Sequence, residues 1–179
     1  MRIGIVGLGL IGGSIGLNLQ KLKHTVYGVV NNQNNEQKAK KRKLTNFVSC
    51  DLGILKECSL VILALPIKNL LNPSQELISA IPKNAIVTDV GSIKEPIINK
   101  WESIHPLFVG SHPMAGTEKK GIDSGSEDLF KNAKWIITPT LKSNSNSFED
   151  TTLLEILNSL LVIHNWVKLS VISLSALYQ

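Results

Sequence analysis

The chain has 179 residues, 43% hydrophobic and 18% charged, with a net charge of +5. That is enough apolar material for one packed domain, perhaps with the stub of a second, and too much for a disordered chain. With only 5% aromatic residues and no uninterrupted membrane-length apolar run, the expected partners include neither nucleic acid nor membrane. Two cysteines, Cys50 and Cys58, make neither a disulfide framework nor a metal pattern. They read as small buried apolar residues of a reducing compartment, and no metal site is expected. Met1 runs straight into an apolar strand, which leaves no room for a signal or transit peptide. The expected location is the cytoplasm.

Ile3-Gly4-Ile5-Val6 reads as a first strand. It breaks into Gly7-Leu8-Gly9-Leu10-Ile11-Gly12-Gly13-Ser14, and a helical pattern through Ile15, Leu17, Leu19 and Leu22 follows. Strand, glycine turn and helix is the context that makes G-x-G-x-x-G a dinucleotide fingerprint. Gly7 permits a tight turn, Gly9 lets backbone approach a pyrophosphate, and Gly12 lets the helix pack closely on the strand. The helix N-terminus offers N–H groups and a positive dipole end to phosphates. Gly7, Gly9, Leu10, Ile11 and Gly12 are therefore the expected nucleotide-binding residues.

His24–Val30 reads as the second strand, ending in the polar loop Asn31 to Asn35. NAD enzymes place an acid near this point to bind the ribose 2′-hydroxyl. Its absence here leans toward NADP, with NAD possible. Asn31 and Asn32 either donate hydrogen bonds to a 2′-phosphate or are turn formers only. The run Lys38-Ala39-Lys40-Lys41-Arg42-Lys43 is either a solvated helix face or an attraction for anionic ligands.

Glu36 to Lys43 is the expected second helix, Asn46–Ser49 a third strand, and Leu60–Leu65 a fourth strand covered on both faces. Asn72-Pro73 reads as a helix start, with Asn72 the N-cap. Ala85–Val90 is a fifth strand, Leu107–Gly110 a sixth, Lys134–Thr138 a seventh. From Thr151 a helical apolar pattern resumes through Leu161, and Val167, Leu169 and Val171 alternate like one more short strand. Strands alternating with helices predict a Rossmann-type doubly wound α/β fold, mostly parallel, with helices on both faces. Residues 1–150 are the expected nucleotide-binding domain, and 151–179 a divergent tail of it.

Ligands of such sheets bind outside the carboxyl ends of the strands. Besides the glycine turn, two polar clusters fall there: Asp89-Val90-Gly91-Ser92-Ile93-Lys94 and Gly110-Ser111-His112-Pro113. A histidine in that position is either a general base or a ring that only hydrogen-bonds the backbone. Ser92-Ile93-Lys94-Glu95 fits a capping box, so Ser92 either caps the next helix or orients His112, or does both. His24, His105 and His164 read as structural or exposed, and Asp123 as a loop residue.

Taken together, the glycine turn, Leu65-Pro66-Ile67 after the fourth strand, Asp89 to Lys94, and Gly110 to Thr117 followed by Lys120-Gly121-Ile122-Asp123 carry a resemblance. Residues 1–140 resemble the prephenate/arogenate dehydrogenase family, in particular its cyanobacterial arogenate type. The resemblance implies an NADP- or NAD-dependent oxidation of arogenate or prephenate, with loss of carbon dioxide, in tyrosine biosynthesis. It implies His112 as catalytic base and Ser92 as its catalytic partner, with Leu65 and Pro66 added to the cofactor-binding residues. Asn31-Asn32 departs from the basic residue of NADP-using members. The family also carries a helical domain that builds a homodimer and contacts the substrate. This chain is expected to lack it, which leaves open a cofactor-binding module with little turnover. Another NAD(P) oxidoreductase, such as a β-hydroxyacid dehydrogenase, depends on a helical-domain lysine.

Overall fold

The computed structural model describes residues 1–138 and a short strand at 169–171. Strands Arg2–Val6 (β1), Thr25–Val29 (β2), Phe47–Ser49 (β3), Leu60–Leu63 (β4), Ile86–Asp89 (β5), Phe108–Pro113 (β6), Trp135–Thr138 (β7) and Leu169–Val171 (β8) form one sheet. Its order is β3-β2-β1-β4-β5-β6-β7-β8. The first six strands run parallel, β7 is antiparallel to β6, and β8 lies parallel to β7. Helices Leu10–Lys21 (α1), Gln33–Lys41 (α2), Ile67–Leu71 (α3), Gln75–Ala80 (α4) and Glu95–Glu102 (α5) connect them. This is the expected Rossmann-type arrangement.

The side-chain alternation of the strands divides the core. In β4, Leu60 and Ile62 pack with Ile15 and Leu19 of α1 and Ala39 of α2, whereas Val61 and Leu63 pack with Leu70, Leu77 and Ile97 from α3, α4 and α5. A period of two on a sheet covered on both faces gives this result. It explains why Leu60–Leu63 is apolar throughout. The Trp101 indole, fully buried, donates to the Leu70 carbonyl at 2.8 Å and so ties α5 to α3. The chain leaves β1 for one face of the sheet and β4 for the other. Between these adjacent strands lies the topological switch point where such sheets bind ligands.

Several local expectations are corrected. Asn72 does not start a helix; it ends α3, and Ser74 is the N-cap of α4, its hydroxyl accepting the Leu77 amide at 3.2 Å. The Ser92–Glu95 capping box does not form. The N-cap of α5 is Lys94, with no side-chain cap, because its ammonium is drawn inward to Asp89. A buried ion pair outweighs a cap worth about 1 kcal/mol. β6 does not stop at Gly110 but runs through His112 to Pro113, held by antiparallel pairing with β7. Cys58 is buried as expected, but Cys50 is exposed. The helical pattern after Thr151, His164 and the boundary at residue 150 lie outside the described residues. Among those described, no helix is long and apolar enough to cross a membrane.

Candidate functional site

A cleft of about 950 Å³ opens at the switch point. Its floor is the glycine turn, and three glycines there answer to different constraints. Gly7 has φ +96°, the left-handed region, and a Cβ on it would lie 2.4 Å from the Ala64 carbonyl oxygen. A Cβ on Gly12 would lie 1.9 Å from the Gly7 carbonyl oxygen, so the packing of α1 on the turn requires glycine. At Gly9 a Cβ would meet no protein atom within 4 Å. Nothing in the protein demands glycine there; the space it leaves open belongs to the cleft. Gly9 is the N-cap of α1, which has no side-chain cap and no acid in its first turn. The first N–H groups of the helix are thus without intrahelical partners and face the cleft with the positive dipole end. These features fit the diphosphate of a dinucleotide.

Gly7, Gly9, Leu10, Ile11 and Gly12 all line this cleft, with Asn31 from the end of β2 and Leu65 and Pro66 from the end of β4. Asn32 does not. Its side chain caps α2, accepting the Asn35 amide at 2.8 Å, and donates to the Asn31 side-chain oxygen at 3.0 Å. Capping is thus what the Asn32 side chain does. Asn31 receives a second bond from the Asn35 side chain at 2.8 Å, which leaves its own amide donors facing the cleft rim.

The basic run does not reach the cleft. Lys40 pairs with Glu36 at 2.5 Å and holds that carboxyl below the usual carboxylate range. Lys38 pairs with Asp123 at 3.1 Å, and Arg42 donates to the carbonyls of Ile122 and Gly125, both at 2.6 Å. The loop after β6 is thereby clamped over α1 and α2, and it brings Thr117, Lys119 and Lys120 to the cleft. Sequence reasoning passed over these two lysines. Lys120 entered only as part of the Lys120-Gly121-Ile122-Asp123 motif, and what brings both lysines to the cleft is a docking made by Arg42, far away in the chain.

From the ends of β5 and β6 only Val90 lines the cleft; Ser92, His112 and the cluster of side chains around Asp89 stand outside its lining. Asp89 is fully buried at the end of β5. One carboxylate oxygen accepts the Gly91 amide at 2.8 Å and the Lys94 ammonium at 2.5 Å; the other accepts the Ser111 amide at 3.2 Å. Lys94 also donates to the Ser111 carbonyl at 2.6 Å, and the Ser111 hydroxyl to the Asp89 carbonyl at 2.7 Å. Burial pushes the Asp89 carboxyl up and the Lys94 ammonium down, and the attraction between the two opposes both shifts. The cluster staples the loop after β5 to β6 one residue before His112.

The His112 ring is half-buried, and its Nδ1 lies 3.1 Å from the Val90 carbonyl oxygen. A carbonyl can only accept, so Nδ1 carries the proton and Nε2 of the neutral ring presents a lone pair. Val90 itself lines the cleft. Ser92 is exposed, and among the described residues no hydrogen bond joins it to His112. The bracing expected of Ser92 is supplied by the Val90 carbonyl. His105 makes the contrast: its Nε2 donates to the Pro82 carbonyl at 3.1 Å and its Nδ1 accepts the Leu107 amide at 3.3 Å. Both nitrogens are used, and burial pushes its pKa down, so His105 is structural.

Comparison with known proteins identifies the family and the fold. The family profile described as "Prephenate dehydrogenase, nucleotide-binding domain" matches residues 15–161. A prephenate dehydrogenase of Bacillus subtilis (strain 168) is 34% identical over 153 residues, which are 81% of this chain and 41% of that protein. Among solved structures, Synechocystis arogenate dehydrogenase superposes with a TM-score of 0.82 at 36% identity, over 97% of this chain and 60% of that one. The prephenate dehydrogenase of A. aeolicus, solved in complex with hydroxyphenyl propionate and NAD+, gives a TM-score of 0.82 at 26% identity with the same coverage. The chain thus spans between 41% and 60% of the length of these three relatives. It belongs to the prephenate dehydrogenase family and carries that family's NAD(P)-binding, Rossmann-type domain.

Proposed function

We propose that this chain binds NADP in the switch-point cleft and serves an arogenate or prephenate dehydrogenase reaction, with His112 as the proton acceptor. Bound NADP supplies the hydride acceptor. The chain's own residues do the rest. Backbone N–H groups of the glycine turn and the α1 end hold the diphosphate. Leu65 and Pro66 line the cleft with them, and Asn31 offers neutral donors where a carboxylate would repel a 2′-phosphate. His112 receives the proton of the substrate hydroxyl at Nε2, and Ser92 is its catalytic partner on the family resemblance. Carboxylate loss then leaves an aromatic ring, which drives the reaction one way.

The observation that carries this reading is the Nδ1–Val90 hydrogen bond of His112. It sets an acceptor nitrogen beside a cleft whose glycine turn is shaped for a dinucleotide. Competitive titration with NADP and NAD, followed by assay with arogenate and with prephenate, tests it. NADP is expected to bind more tightly, with a preference that shrinks as salt rises. Tighter NAD binding at low salt would refute the cofactor assignment. The partial coverage of the relatives favours a second reading, a cofactor-binding module with little turnover alone. Tight NADP binding with no oxidation of either substrate would select it.

A further inference from the structure

We infer that Lys119 and Lys120, on the loop after β6, form the recognition site for the 2′-phosphate of NADP. This rests on the NADP reading above and adds where the phosphate is held. In a sheet of this order the ribose 2′-position lies at the end of β2. Asn31 and Asn35 line the cleft there, and neither brings charge. The cations nearest in sequence are engaged elsewhere: Lys38 with Asp123, Lys40 with Glu36, and Arg42 with the carbonyls of Ile122 and Gly125. Those pairs also neutralise Asp123 and Glu36.

Lys119 and Lys120 line the same cleft as Asn31, and among the described residues neither has a carboxylate partner. Their backbone is fixed. The Lys119 amide donates to the Thr117 hydroxyl at 3.2 Å, and the Lys120 carbonyl accepts the Ser124 hydroxyl at 2.6 Å. Arg42 clamps the following turn, and the Ser126 amide donates to the Ser14 hydroxyl of α1 at 2.8 Å. Two ammonium groups on an anchored loop, opposite neutral amide donors, suit a dianionic phosphate. A 2′-hydroxyl would gain no charge interaction from them. The cofactor would then be gripped across the cleft by a loop that begins directly after the His112 strand.

The probes are 2′,5′-ADP and 5′-AMP, which differ only in the 2′-phosphate, titrated calorimetrically at low salt against the wild type and against Lys119→Gln/Lys120→Gln, with thermal melts to verify folding. The wild type is expected to bind 2′,5′-ADP at least about tenfold more tightly than 5′-AMP, and the double variant to lose that margin while keeping its 5′-AMP affinity. A wild-type preference that survives in the double variant would overturn the lysine site and leave the NADP reading intact. Equal losses for both probes would assign the lysines to the 5′-phosphate or to general attraction, which also overturns the site. A wild type without preference for 2′,5′-ADP would overturn the NADP reading and this inference with it.

Discussion

At the β1 end of the cleft the groups that face the ligand space are backbone: the turn at Gly7, the open Cα of Gly9 and the uncapped amides of α1. At the β5–β6 end only Val90 lines the cleft, and behind it stand side chains held in place by other side chains: Asp89, Lys94 and Ser111, with His112 on the Val90 carbonyl. The difference decides how each end can be damaged. A backbone site is insensitive to deletion and is spoiled by adding atoms. A side-chain site is spoiled by removing them, and its supports matter as much as the group they position.

The largest expected effect is therefore at His112. In the form of the protein that turns over, His112→Asn should lower the rate by about 10²- to 10⁴-fold, the usual worth of a positioned general base. NADP affinity should hold, because the glycine turn is untouched; steady-state kinetics and cofactor titration read the two separately. Ser92→Ala should cost less in rate and nothing in melting temperature, since Ser92 does not cap α5. A loss of turnover and cofactor affinity together in His112→Asn would erase the distinction between the ends.

Next in size is the support. Lys94→Met removes one partner of a pair whose carboxylate is fully buried, and denaturant titration should show a loss of about 3–5 kcal/mol. An unchanged midpoint would mean that the staple beneath His112 is not structural. Smaller again is Gly9→Val. Gly9 has φ −71° and ψ −158°, extended backbone that any residue adopts, and the new side chain would meet open space. The fold should survive while cofactor binding weakens by about tenfold to a hundredfold, an overpacking cost of roughly 1–3 kcal/mol. Normal cofactor binding by Gly9→Val would remove the turn from the site. Gly12→Ala, by contrast, should lose stability, because its Cβ would collide with the Gly7 carbonyl.

The smallest effect concerns pH. Burial holds the His105 pKa below its ordinary value of 6.5, so the folded state resists a proton that the unfolded chain accepts. The stability this gives is complete above 6.5 and is lost as pH falls through the lowered folded value. His24 is shifted the same way, first by burial and then by the N-terminal charge. Melting temperatures from pH 7.5 to 5 should fall less steeply in His105→Gln than in the wild type. Identical slopes would deny that His105 is buried as a neutral ring.

The strands and the glycine turn were legible because their signals are local: an apolar run such as Leu60–Leu63, or four glycines in eight residues. His112 was legible as a residue but not as an acceptor. Its tautomer depends on the carbonyl of Val90, brought beside it only when β5 and β6 pair. Ser92–Glu95 looked like a cap because a capping box is a four-residue pattern, and the pull of Asp89 on Lys94 is invisible at that range. Asn72 lost to Ser74 for a simpler reason: two good N-cap residues stood two apart, with Pro73 between them. Lys119 and Lys120 were hidden by distance, since Arg42 lies roughly eighty residues from the loop it anchors.

The central claim is that the bond to Val90 leaves His112 with Nε2 as its acceptor nitrogen, and it can be tested without turnover. Nitrogen-15 NMR of the imidazole at neutral pH, assigned by comparison with His112→Asn, reports which ring nitrogen carries the proton. The structure predicts a protonated Nδ1 and an unprotonated Nε2. A ring protonated at Nε2 with a bare Nδ1 would contradict the account, because Val90 would then not hold it and the lone pair would face the protein instead of the substrate.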